Sequence, residues 1–304
     1  MKYFRTILGI CILVGTILAV SYRAQKVPEV SRKLSVVTTL FPLYDFTKNI
    51  GKDKIDVILL LPPGMEAHSF EPKPSDIVKI NQADIFIYTG EIMEPWTQDI
   101  INGITNKNVT VVDSSAGIEL MKEVGHSGVD PHFWLDFDNA KKMINTFTLA
   151  LTKADPANAQ YFQKNAHQYE DELTKLDVEY TEGLSKCETR KIVYGGHYAF
   201  GYLARRYNLQ YFAAQGFSPD SEPTAQDLIR LVDQIRENDI YYVFYEELTS
   251  PKIAETLANE TDTKLLQLSA AHNISKADFE KNVTFVSIME KNLKNLQIGL
   301  HCSQ

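Results

Sequence analysis

Seven histidines occur in a chain of 304 residues: His68, His126, His132, His167, His197, His272 and His301. Neutral imidazole suits zinc, copper or nickel, and suits manganese, calcium or magnesium poorly. Taken alone, a histidine is more often a satisfied polar residue than a ligand, so position has to decide. His68 lies in the loop after a β-rich run at 55–61, and His197 follows a run at 191–194 across Gly195 and Gly196. His272 follows a run at 264–268, and His132 sits after a run at 109–113, within Asp130-Pro131-His132-Phe133-Trp134. Open parallel sheets bind ligands outside the carboxyl ends of their strands, which is where these four fall. Four imidazoles converging there would make a metal site. Zinc takes four tetrahedral ligands, at about 2.0–2.1 Å for nitrogen, and four protein ligands leave no place for an activated water. Such a site holds an ion rather than using it. The other three histidines read differently. His126, in Gly125-His126-Ser127-Gly128, is a solvated loop residue, His167 lies on an exposed helix face, and His301 has too few ligands around it.

The elements that must position these residues follow from hydrophobic periodicity. Continuous apolar runs at 34–39, 55–61, 84–89 and 109–113 alternate with amphipathic stretches at 44–50, 75–82 and 94–103. That pattern predicts a parallel sheet covered on both faces. The middle of the chain is different: 139–153 and 156–186 carry apolar residues at helical spacing among many charges. The second stretch predicts one helix of roughly 45 Å if unbroken, a rigid connector. Strand and helix signals then alternate again: strands at 191–194, 209–213, 240–245 and 264–268, helices at 199–207, 225–238, 251–260 and 285–300. The reading is α/β, with two lobes of mostly parallel sheet flanked by helices and joined by one long helix. The N-terminal lobe spans 33–153, the connector 154–187 and the C-terminal lobe 188–304.

Composition removes several function classes. The chain is 44% hydrophobic and 23% charged, as expected of a globular protein, and its formal net charge of -8 argues against a nucleic-acid partner. Neither G-x-x-x-x-G-K-[ST] nor G-x-G-x-x-G occurs, so nucleotide binding has no motif behind it. Lys2 and Arg5 precede an apolar run from 7 to 20, and Ala19 and Ser21 offer a small-x-small cleavage site. Residues 1–21 are therefore read as a secretory signal, or as an uncleaved anchor. Cleavage would leave Cys187 and Cys302, and an even pair in an oxidising compartment suggests a disulfide. Glu246 and Glu247 end the 240–245 strand; a carboxylate there either orients a ligating histidine through its other nitrogen or lies solvated in a loop. Glu222 is either a helix-start residue or one standing behind a metal ligand or facing a membrane partner. Trp134, Phe200, Tyr202 and Phe217 are read as core or cleft wall.

The motifs as a group resemble the zinc-binding solute-binding proteins of bacterial ABC transporters, a cluster that also holds manganese-binding lipoproteins once described as adhesins. Residues 62–72 are similar to its P-P-G-x-x-x-H-x-[FY]-E-P loop, 130–136 to D-P-H-x-W-L-D, and 197–202 to H-x-A-F-x-Y. Glu222-Pro223-Thr224 and Phe244-Tyr245-Glu246 fall where that family has E-P-S and F-x-E. The resemblance implies ligation by His68, His132 and His197, with histidine at 197 marking the zinc branch. The fourth position departs from the pattern: His272 stands where zinc relatives often carry an acidic residue, and Asp278 is its rival. The His-rich loop that many zinc members carry before D-P-H is missing. What the resemblance implies is a non-enzymatic, monomeric extracytoplasmic protein. It would hold Zn2+ in a cleft between lobes as cargo and deliver it to a membrane permease driven by a separate ATPase, with small movements on release. The rivals are a zinc hydrolase with an open coordination position, against which the lack of H-E-x-x-H counts, and an adhesin stabilised by metal.

Overall fold

Short, largely apolar runs build two sheets of the same design, buried most fully in Ile85–Tyr88 and in the inner strand Lys191–Tyr194. The computed structural model describes residues 32–122, 128–217 and 222–303, so residues 1–21, expected from the sequence to be a signal or anchor, and His126 lie outside the described residues. The first sheet comprises β1 (Leu34–Thr38), β2 (Ile55–Leu59), β3 (Ile85–Tyr88) and β4 (Thr110–Asp113), in the order β2-β1-β3-β4. The second comprises β5 (Lys191–Tyr194), β6 (Gln210–Ala213), β7 (Tyr242–Tyr245) and β8 (Lys264–Gln267), in the order β6-β5-β7-β8. Every pairing is parallel, with Val36 opposite Val57 and Ile85, and Val193 opposite Phe212. Both orders reverse direction beside their first strand, which opens a crevice at the carboxyl edge.

The helices are α1 (Phe41–Gly51), α2 (Pro74–Gln82), α3 (Thr97–Gly103), α4 (Phe137–Ala154), α5 (Ala159–Gly183) and α6 (Gly201–Arg206). They continue as α7 (Ala225–Glu237), α8 (Lys252–Thr261), α9 (Lys276–Glu280) and α10 (Phe285–Gly299). Differences from the sequence expectation have local causes. Pro42 suits a first turn, so α1 starts at Phe41 instead of 44. Helix α3 starts at Thr97 instead of 94 because the buried Glu94 carboxylate turns back to accept from the Thr89 and Gly90 amides, at 2.6 and 3.3 Å. The Ala199 amide is taken by the Tyr211 hydroxyl, so α6 begins at Gly201. Ser275 caps α9, a short helix that the periodicity did not reveal.

The connector is α5, of 25 residues and about 37 Å. Asp155 accepts from Asn158 and winds Pro156–Asn158 into a separate 3-10 turn, which shortens the predicted element. Its buried residues Phe162, Ala166, Tyr169, Leu173, Leu176 and Tyr180 form one stripe at helical spacing. That stripe touches both halves of the fold. Tyr169 donates to the buried Asp45 of α1 at 2.7 Å, and Tyr180 donates to the Met289 carbonyl of α10 at 2.6 Å. Asp45 also accepts from the Phe285 amide at 3.2 Å, and burial pushes its carboxyl up to about 6. The described residues from Leu34 onward form one compact unit, with one apolar cluster running from β1 and β3 through α4 and α5 to β5 and α10. No helix among the described residues is long and apolar enough to cross a membrane.

Cys187 and Cys302 form the disulfide, across an isolated antiparallel bridge that joins the exit of α5 to the C-terminus. The bond closes a loop with a sequence separation of 115. Loop-closure entropy for that length corresponds to about 4–5 kcal/mol in the chain-entropy model. Thermal melts with and without reductant, repeated on Cys187→Ser/Cys302→Ser, should show a lower Tm whenever the bond is absent. Equal melting temperatures would mean that the bond constrains little.

Candidate metal centre

Each histidine of the centre is placed by a different local device. After β2, the Leu60 and Leu61 amides continue the ladder to the Thr38 and Thr39 carbonyls until Pro62 stops it. Gly64 then turns the chain at φ +87°, a conformation that a side chain would strain, and its amide donates to the Ile274 carbonyl. This turn carries His68 towards the sheet edge. After β4, the Asp130 carboxylate accepts from the His132 amide at 2.9 Å, and Phe133–Leu135 wind into a 3-10 turn with Trp134 fully buried. After β5, Gly195 passes α8 so closely that a Cβ there would lie 2.5 Å from the Ala254 Cα. The glycine lets β5 end against that helix with His197 at its tip, where the His197 carbonyl accepts from the Tyr211 hydroxyl at 3.1 Å.

The result is a cluster of nitrogens. His132 Nε2 lies 3.3 Å from His68 Nε2 and 3.2 Å from His197 Nε2. The ligand atoms of these three side chains all fall within 4.8 Å of one another. His132 and His197 are wholly buried and His68 half-buried. Two carboxylates stand behind the rings: Asp130 Oδ1 is 2.8 Å from His132 Nδ1, and Glu246 Oε2 is 2.8 Å from His197 Nδ1. Each fixes the ring so that Nε2 is left for a cation, the arrangement usual behind metal-ligating histidines. Of the two sequence readings of Glu246, buried orientation of a histidine is therefore the correct one. Asp130 was readable only as part of its motif, although a carboxylate two residues before a ligating histidine is itself a signal.

His272 is near the cluster but set apart. Its ring centroid lies 5.6–6.3 Å from the other three, which are 5.1–5.3 Å from one another. His272 Nε2 stands 3.4 Å from Glu246 Oε1 and 4.0 Å from Glu66 Oε1. Glu66 had no sequence signal beyond its place in the His68 loop. The rival Asp278 is occupied elsewhere: its carboxylate accepts from the Ser275 hydroxyl at 2.7 Å, at the start of α9. His167 is exposed on α5, and His301 lies against the Tyr241 and Tyr242 rings. Glu222 lines a separate cavity of about 250 Å³ with Tyr198, Asp227 and Arg230.

The electrostatics separate the rings. Burial, reinforced by the neighbouring imidazoles, holds His68 and His132 well below the usual imidazole range. Burial also opposes charge on His197, but Glu246, assisted by Glu66 and Asp130, outweighs it and raises the ring above 6.5. Burial lowers His272, with Glu246 pulling the other way. Glu246 is lowered despite its own desolvation, chiefly by His197. Three nitrogen lone pairs backed by two carboxylates make a donor set for a borderline divalent cation.

The profile of the family described as "Zinc-uptake complex component A periplasmic" matches residues 36–299. The chain belongs to that family. It is 37% identical over 281 residues to the high-affinity zinc uptake system protein ZnuA of Bacillus subtilis, covering 88% of both chains. It is 34% identical over 278 residues to the zinc-binding lipoprotein AdcA of Streptococcus pneumoniae, matching 87% of this chain but only 55% of that longer protein. Among solved structures, the Zn(II)-bound ZnuA-like domain of Streptococcus pneumoniae AdcA superposes with a TM-score of 0.78 at 35% identity, over 88% of this chain and 99% of that one. The family membership agrees with the resemblance carried by the three histidine motifs.

Because Glu246 raises His197 while burial lowers His68 and His132, acidification should charge the rings in a fixed order. On lowering the pH from 8 in metal-free protein, His197 should take up its proton above 6.5, while His68 and His132 stay neutral well below that value. NMR of histidine-labelled protein reads this directly; His132 charging before His197 would contradict the assignment.

Proposed function

We propose that this chain captures Zn2+ outside the cytoplasm with high affinity and hands it to an ABC permease driven by a separate ATPase. The observation that carries this reading is the convergence of His68, His132 and His197 through Nε2, with carboxylates fixing two of the rings. His272 is the fourth ligand in this proposal, brought in by a short movement of its ring, and it stands where zinc relatives often carry an acidic residue. Four protein donors leave no site for an activated water, so the ion is cargo and the protein is not an enzyme. Nitrogen donors disfavour manganese, and the soft-to-borderline preference leaves copper and nickel as the competitors. Residues 1–21 act as export signal or anchor, and the lobes divide at 33–153 and 188–304 around the 154–187 connector. The working form is a monomer.

Two rival readings make different demands. A hydrolase needs an open coordination position and a nearby general base. A metal-stabilised adhesin needs the metal in order to fold, whereas the apolar cluster along β1, β3, α4, α5 and β5 is built from side chains other than the histidines of the centre.

The test is metal competition followed by elemental mass spectrometry, on protein lacking residues 1–21 that has been stripped and offered equal limiting Zn2+ and Mn2+. About one zinc per chain is expected, with little manganese. Alanine at His68 or His197 should weaken zinc by more than the roughly 10–100-fold caused by losing an outer hydrogen-bond partner. Circular dichroism should change little on stripping. Bound manganese, or unchanged zinc affinity in either variant, would overturn the site, and unfolding on stripping would favour the adhesin.

A further inference from the structure

Two of the three clustered rings are held by carboxylates, and the third is not. His132 and His197 each place Nδ1 2.8 Å from a buried oxygen, of Asp130 and of Glu246. Among the described residues no carboxylate pairs with the His68 ring, whose polar contact is with His132 at 3.3 Å. His68 is also the most exposed of the three. Its place at the centre therefore depends on the backbone that carries it. That backbone leaves β2 through a turn in which the Met65 amide donates to the Pro62 carbonyl at 3.1 Å. The turn is gripped from far along the chain. Asn273 is 1% exposed, and its Nδ2 donates to the Pro62 and Met65 carbonyls at 2.9 and 2.7 Å. Two carbonyls facing one amide fix its orientation, because only the NH2 end can serve both. Its Oδ1 accepts from the Ile274 amide at 2.9 Å, and the Ile274 carbonyl accepts from the Gly64 amide at 2.8 Å. The gripping segment is itself anchored. Asn292 of α10 donates to the Ser269 carbonyl at 2.7 Å and accepts from its amide at 2.9 Å, and Trp134 donates to the Ala270 carbonyl at 2.8 Å.

We propose that Asn273 is a positioning residue for metal binding: it clamps the turn before His68 onto the segment after β8 and so keeps the His68 ring within reach of the ion. This role rests on His68 being a metal ligand, and it is independent of which residue supplies the fourth donor. Without the Asn273 side chain, two backbone carbonyls lose a buried donor, and the turn can satisfy them only by moving towards water. His68 moves with the turn, while His132 and His197 keep their carboxylates and stay in place. The ion is then held by His68 only as firmly as residues 62–65 are held by Asn273.

Zinc dissociation constants, measured by competition with a chromophoric chelator, test the clamp, and melting of the stripped protein checks folding. Asn273→Ala should raise the constant by about 10-fold or more, as losing a partner behind a metal ligand does. Asn273→Ser keeps one donor and leaves a smaller gap, so it supplies the same comparison if the alanine variant melts far below the parent. A double-mutant cycle separates a positioning role from a merely structural one. If Asn273 acts through His68, removing it from His68→Ala protein should change the constant by less than about twofold. On a His272→Ala background it should keep its full effect. Hydrogen exchange at the Gly64 amide should also quicken in stripped Asn273→Ala. An unchanged constant or unchanged Gly64 exchange in Asn273→Ala would overturn the clamp and leave the His68 assignment standing. So would a loss that persists on His68→Ala, or one that disappears on His272→Ala. An unchanged constant in His68→Ala itself would remove the ligand and the clamp together.

Discussion

Neutral imidazoles repel when their nitrogen lone pairs point at one another, and here His132 Nε2 is brought to 3.3 Å from that of His68 and 3.2 Å from that of His197. The arrangement depends on where the Nδ1 protons go. Asp130 and Glu246 accept two of them inside the protein, so the rings cannot turn over to relieve the crowding without leaving a buried N–H unpaired. The same two carboxylates supply negative charge behind the rings in a region of low dielectric, where such charge acts strongly. The turns, glycine contacts and caps around the centre serve to hold these five side chains in register.

The two sheets make that register reproducible. Both have the same strand order, so each offers a carboxyl edge with the same crevice. His197 and Glu246 follow β5 and β7, neighbouring strands on either side of the reversal in the second sheet, which puts an imidazole beside its carboxylate. The first sheet contributes from its outer strands β2 and β4 instead, through the longer loops that carry His68 and His132. Helix α5 keeps the two edges facing each other because its stripe packs on α1 and α10 along the same side.

Much of this was legible in the sequence, because strand positions, strand-end histidines and the long helix are all written in short-range periodicity. Both sheets and the connector fall near where the apolar runs place them, and Cys187 and Cys302 are paired, as their even count suggested without excluding two free thiols. Boundaries shifted where a nearby side chain claimed a backbone amide, as Glu94 does at Thr89 and Tyr211 does at Ala199. Periodicity carries no record of such side-chain-to-backbone partners. Glu66 was invisible for the same reason: a glutamate in a loop announces nothing until His272, far along the chain, is folded beside it.

The segment after β8 is sewn onto the first half of the fold before α10 returns to β8, where Asn295 donates to the Gln267 carbonyl at 2.7 Å. Trp134 donates its indole N–H to the Ala270 carbonyl at 2.8 Å, Asn273 donates to the Pro62 and Met65 carbonyls at 2.9 and 2.7 Å, and Phe285 packs edge-on against Phe46 at 5.0 Å. The fold is consequently not two beads on a string. A ribosome must finish almost the whole chain before α1 and the His68 loop receive these partners, so the N-terminal half would emerge with part of Phe46 and of the His68 loop still exposed. Premature termination, or a permutation that opened the chain near 270–285, would therefore harm the first half as much as the second.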